Sequence, residues 1–168
     1  MRIARAETDD GIVTGEYDNG TIVTEDGSYE LESDEALLSP TTPSVFYCVG
    51  RNYPEYPDTT ETERTEYFHW FIKPAVSRAD PNGIIPFPAF TDKLGCAGEL
   101  AAVIGEKSKN LTEDTVEDAV LGFTVLNDLD AEDQPEISSR KAFDDAAPFG
   151  PWIETDVDPT ALDMRTKI

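Results

Sequence analysis

Two apolar runs, each marked by a carboxylate, constrain this chain most. Glu99 opens the run Leu100-Ala101-Ala102-Val103-Ile104, and Asp128 closes the run Phe123-Thr124-Val125-Leu126-Asn127. Uninterrupted apolar segments of this length read as strands. The ends of two buried strands can bring such side chains into one pocket. Two hard oxygen donors there suit Mg2+, Mn2+ or Ca2+. Taken alone, Glu99 reads first as a strand-end acid on a solvated face, and Asp128 as a turn or cap residue.

Other segments fill in a mainly β, α+β plan. Ile12–Tyr17 and Thr21–Val23 flank Asp18-Asn19-Gly20, and Asn-Gly takes positive φ at low cost, so a tight hairpin is predicted. Asp26-Gly27 marks a second turn. Residues 1–42 therefore read as a small N-terminal β unit, closed by the linker around Pro40 and Pro43. Residues 43–168 read as the main domain. There Val45–Gly50 is predicted to be a strand buried on both faces, and Phe71–Pro74 a short strand stopped by proline. Residues 54–67 are expected to be a helix or loop. Thr112–Gly122 carries a capping threonine, early acids and an apolar stripe, which predicts one helix. Leu162–Ile168 alternates like the start of a half-exposed strand.

Charge limits the partners. Thirty-five Asp and Glu oppose thirteen Lys and Arg, for a net charge of −22. That field repels nucleic acid and anionic membranes. The acids are spread between apolar runs rather than gathered in a tail, which fits a folded protein with an acidic surface. A halophilic cytoplasm, whose salt screens self-repulsion, explains this better than an acidic mesophilic protein. The N-terminus has no apolar leader segment, and no run is long enough to span a membrane, so a cytoplasmic location is expected. Cys48 and Cys96 are expected to be buried free thiols.

Five blocks together resemble the fumarylacetoacetate hydrolase family. They are Gly50-Arg51-Asn52-Tyr53, Phe71-Ile72-Lys73-Pro74, Gly98-Glu99-Leu100 through Gly105, Gly122-Phe123-Thr124-Val125-Leu126-Asn127-Asp128, and Lys141-Ala142-Phe143-Asp144 with Pro148-Phe149-Gly150-Pro151-Trp152. The resemblance implies a mixed β-sheet roll and a divalent metal, Mg2+ or Mn2+ with Ca2+ as a further option, held by three carboxylates. It implies small 2-oxo-acid or acylpyruvate substrates that are hydrolysed at a C–C bond, decarboxylated or isomerised. Homodimers, or a hetero-oligomer with an intact paralogue, are its implied assemblies. A chelating cation stabilises the enolate that such reactions develop. Glu99 and Asp128 fall on metal positions and Lys141 on the site lysine, while Arg51, Asn52 and Tyr53 would shape the loop beside them.

The chain departs from the pattern in three places. Ala97 stands where the first metal glutamate is expected, which would leave Mg2+ held weakly by two acids. Tyr56 stands where a loop histidine is expected, so its hydroxyl or a water would do that work. Glu132 replaces an expected arginine. The family's C-terminal strands are not found, so the roll is expected to be incomplete. A working oxo-acid enzyme and a catalytically silent, truncated relative or partner subunit both remain open, as does an acidic Ca2+-binding module. His69, Phe68, Trp70 and Phe71 are assigned to packing, and Asp130, Glu132 and Asp133 to a solvated face or a cation-collecting rim.

Overall fold

The computed structural model describes residues 1–50, 52–53 and 69–167. Among them, eleven strands and one short α-helix build a mainly β fold. The strands are β1 (Arg2–Thr8), β2 (Gly11–Asp18), β3 (Thr21–Val23), β4 (Ser28–Glu30), β5 (Leu37–Leu38) and β6 (Val45–Gly50). They continue as β7 (His69–Pro74), β8 (Arg78–Ala79), β9 (Leu94–Ile104), β10 (Val120–Ala131) and β11 (Ala147–Glu154). Helix α1 (Ile137–Lys141) lies between β10 and β11. One nine-stranded sheet runs β4-β3-β2-β1-β11-β10-β9, with β5 beside β1 and β8 beside β11; β6 and β7 form a second, two-stranded sheet. The β8–β11 pair is parallel, so the large sheet is mixed. No helix among the described residues is long and apolar enough to cross a membrane.

The N-terminal hairpin forms where Asn-Gly demands it. Asn19 and Gly20 have φ of 47° and 88°, and they join Asp18 to its partner Thr21. Two positive φ values match the turn to the strand twist. Along β1 the alternation puts Ala4 and Ala6 inside, packed with Tyr17, Ile22 and Leu37. This unit is not separate from the main sheet. β1 pairs with β11 (Ile3 opposite Ile153), and Trp152 stacks on Tyr17 at 5.3 Å. A second apolar cluster, Leu126, Ala147 and Phe149, meets Phe46 of the small sheet edge-to-face at 5.4 Å. Gly122 lets β10 approach β11 closely, because a Cβ there would fall 2.5 Å from the Glu154 carbonyl oxygen.

Several expectations are corrected. Val45–Gly50 forms β6, but Tyr47 is 74% exposed and Val49 45%, so one face meets solvent. Trp70 and His69 are exposed as well, not packed in a core. Both belong to β7, whose alternation sends Trp70 outward and Phe71 and Lys73 inward, while His69 shares the inward face but lies at the exposed end of the strand. Cys96 is exposed on β9, and Cys48 is half-buried. The helix expected over 112–122 is absent: turns lead to a single 3-10 turn at Glu117–Ala119, and β10 starts at Val120. Residues 112–118 are exposed, Val116 among them, so that of the apolar stripe only the small Ala119 is fully buried, and four acids in that span repel one another. Residues 162–167 form no strand. The helix-or-loop expectation for 54–67 lies outside the described residues.

Candidate active site

Strand pairing brings the site residues together. In the β9–β10 ladder, Glu99 lies opposite Leu126 and Ala97 opposite Asp128. Opposed residues of an antiparallel pair share a face, as do residues two apart. Ala97, Glu99, Leu126 and Asp128 therefore all face one way. Asp128 sits within β10 rather than at its end, three residues before the strand stops. The inward residues of β6 and β7, namely Phe46, Cys48, Phe71 and Lys73, face this surface; Phe46 is opposite Lys73 and Cys48 opposite Phe71.

At the centre is an ion cluster. Asp128, 7% exposed, lies between two ammonium groups. Lys141 Nζ donates to its Oδ2 at 2.5 Å, and Lys73 Nζ is 2.8 Å from its Oδ1. Lys73 is fully buried and donates to the carbonyls of Leu129 (2.8 Å), Lys141 (3.0 Å) and Ala146 (2.9 Å). An ammonium has three protons. Asp128 Oδ1 competes with the three carbonyls for them, four oxygens within 3.0 Å sharing one ammonium group. Burial pushes the Lys73 ammonium below its ordinary pKa, against the pull of Asp128. Lys141 also reaches Asp130 Oδ2 at 3.2 Å and lies 5.2 Å from the Phe71 ring centre. Arg140 Nε donates to Asp130 Oδ1 at 2.8 Å. Burial pushes the Asp130 carboxyl up, but Arg140 and Lys141 outweigh it and hold it below the ordinary value.

Glu99 is half-buried beside this cluster. Burial raises its pKa, and the charge of Asp128 adds to the rise, while a hydrogen bond from Tyr53 and the charge of Lys141 oppose it. The Tyr53 hydroxyl also accepts from the Leu100 backbone N–H at 3.3 Å. Burial raises the Cys48 thiol to about 11, with Asp128 adding to the effect.

The structure therefore gathers Glu99, Asp128, Lys141 and Tyr53 of the predicted site. Asn52 is exposed beside them in sequence. Arg51 and Tyr56 lie outside the described residues. Asp130, assigned above to a solvated face, instead belongs to the cluster. Glu132 pairs with Lys93 and Asp133 accepts from Thr91 and Asp92, so both stay at the rim. Lys73 was missed as a site residue. Its one signal is a lysine at an inward position of a short apolar strand.

The oxygen donors have the chemistry of a hard-cation site but not the number. Among the described residues no group of three His, Cys, Asp or Glu side chains could hold a metal. Ala97 occupies the face position where a third carboxylate would complete one. Asp128, the better-placed donor, is already held by two ammonium groups. The residues present do not make a complete divalent-cation site.

Residues 45–168 match the family description "Fumarylacetoacetate (FAA) hydrolase C-terminal". The chain belongs to the fumarylacetoacetate hydrolase family. A 2-hydroxyhepta-2,4-diene-1,7-dioate isomerase from Mycobacterium marinum has a similar structure, with TM-score 0.80 and 30% identity over 95% of this chain and 68% of that one. The oxaloacetate tautomerase fahd2 of Xenopus laevis is 33% identical over 149 residues, 81% of this chain and 46% of that protein. MJ1656 of Methanocaldococcus jannaschii is 32% identical over 139 residues, 80% of this chain and 59% of that protein. The chain thus spans about half of these two relatives. The family is a hydrolase and isomerase superfamily.

Proposed function

We propose that this site moves a proton on a small 2-oxo acid, interconverting keto and enol forms or shifting a double bond. The observation that carries the reading is the Lys73–Asp128–Lys141 cluster buried on the same sheet face as Glu99. Proton transfer next to a carbonyl needs a base near the α-carbon and positive charge at the oxygen that becomes an enolate. Glu99 takes the α-proton and returns it, to the oxygen to give the enol or to the far carbon to complete the double-bond shift. Lys141 places its ammonium at the enolate oxygen, and Asp128 and Asp130 orient it. Tyr53 fixes the Glu99 carboxyl. Two relatives whose names specify a tautomerase and an isomerase support this choice over C–C hydrolysis, which also needs an activated water. The family's Mg2+ or Mn2+ would fall to Glu99 and Asp128, but the donor set is short, and no step here passes through a cation.

A second reading has its own support. Ala97 removes a carboxylate, and the outer face of β6–β7, with Tyr47, Val49, Trp70 and Ile72, is apolar and exposed. These favour a silent subunit that works beside an intact paralogue.

Exchange of the α-hydrogens of oxaloacetate and acylpyruvates into deuterated water, followed by NMR in molar KCl, separates the two. Exchange above the buffer rate, reduced on the order of a hundredfold or more in Glu99→Gln, in line with the usual worth of a general base, supports the enzyme. No exchange above buffer with any 2-oxo acid leaves the silent subunit.

A further inference from the structure

Resting on the proton-transfer reading, we propose that this site works without a bound divalent cation, its two buried ammonium groups supplying the positive charge. Three observations converge. First, the described cluster is balanced: Lys73, Lys141 and Arg140 stand against Asp128, Asp130 and Glu99. A third site carboxylate would leave an excess negative charge for a cation to neutralise, and Ala97 provides none.

Second, the missing donor is missing at the decisive place. Ala97 is the direct cross-strand neighbour of Asp128 and is two residues from Glu99 on the same face. Opposed Cβ atoms of such a pair lie about 4.5–5.5 Å apart. A carboxylate on residue 97 would reach the space between the other two, whereas a methyl group leaves them separated.

Third, Asp128 is engaged on both oxygens. Lys141 hydrogen-bonds Oδ2, and the Lys73 ammonium lies 2.8 Å from Oδ1 while it also donates to three carbonyls. An incoming M2+ would have to displace Lys141 or sit against two ammonium groups. Lys73 cannot swing away, because its donors tie β10, the end of α1 and the turn before β11 together.

The test is direct Mn2+ binding by electron paramagnetic resonance on the full chain in molar KCl, with Ala97→Glu and its neutral, equal-sized control Ala97→Gln. The expected result is no specific Mn2+ uptake at millimolar Mn2+ by the natural chain or by Ala97→Gln. Ala97→Glu should gain stoichiometric binding, tightened on the order of tenfold or more, since even partners outside the metal's ligand shell are worth that much. Melting curves check that each variant is folded. Stoichiometric Mn2+ binding by the natural chain overturns the inference, whichever residues hold the ion. Equal failure of Ala97→Glu and Ala97→Gln to bind supports it as well, and assigns the exclusion of the cation to the two ammonium groups rather than to residue 97. Deuterium exchange that survives chelation supports the inference, and exchange abolished by chelation refutes it while leaving the proton-transfer reading standing. Absence of exchange under every condition sinks the proton-transfer reading and leaves the binding result to be judged alone.

Discussion

The N-terminal half and the β7–β10–α1 region bury their interiors in opposite ways. Around β1 and β2 the interior is Ala4, Ala6, Tyr17, Ile22 and Leu37, with Trp152 as a lid. Around β10 the residue at the same depth is a lysine. Lys73 at 0% exposure stands where an aliphatic side chain would serve stability as well or better. Apolar packing loses stability in proportion to the volume removed. A buried ion cluster behaves in an all-or-none way, because each partner exists in low dielectric only through the others. The first region is scaffold, and the second is built around its charges.

The sharpest way to break this contrast is Lys73→Met. It leaves Asp128 with one ammonium partner and takes a donor from the carbonyls of Leu129, Lys141 and Ala146. The expected cost is about 3–5 kcal/mol, the range for removing one partner of a buried pair, read by urea unfolding in molar KCl. Ile22→Ala should come next, at about 2–4 kcal/mol for a fully buried aliphatic truncation. If the order reverses, the cluster is not the structural centre of its region.

The smallest effect is also the most selective. The Asp130 carboxyl is held below its unfolded value of about 3.9, so its stabilisation is present above that value and fades as pH falls through the lower, folded one. Asp130→Asn should therefore destabilise the protein near neutral pH by at most about 1 kcal/mol, given partial solvation. The gap from the natural chain should close in acid. A constant gap across the acid limb would show that Asp130 matters for shape and not charge. Ile22→Ala is expected to show that constant gap.

How much of this was legible from sequence follows the range of the forces. Asn19-Gly20 announces its hairpin because the strain is confined to two residues. Glu99 and Asp128 could be paired because each marks an apolar run of strand length. The helix expected at Thr112–Gly122 failed for the same local reason: caps and charges were read, while the exposure of Val116 on its stripe was not. Lys73 left little trace, since its partners are backbone carbonyls 56 to 73 residues away, and a backbone acceptor has no sequence signature. Short helix α1 hid in a polar stretch because Arg140 and Lys141 are held by Asp130 and Asp128, not by an apolar stripe. The N-terminal unit was legible as strands, but its pairing with β11 depends on contacts across nearly the whole chain.

That pairing sets an order of events during synthesis. Arg2 meets Glu154 across 152 positions of sequence. At a translation rate of about 5–20 residues per second, β1 leaves the ribosome on the order of ten seconds before its neighbour exists. During that interval Tyr17 lacks the Trp152 ring, and one edge of β1 is an open template for any passing strand. Contacts this distant also slow folding once the chain is free. The first strand of this polypeptide therefore waits for its last before that edge is closed.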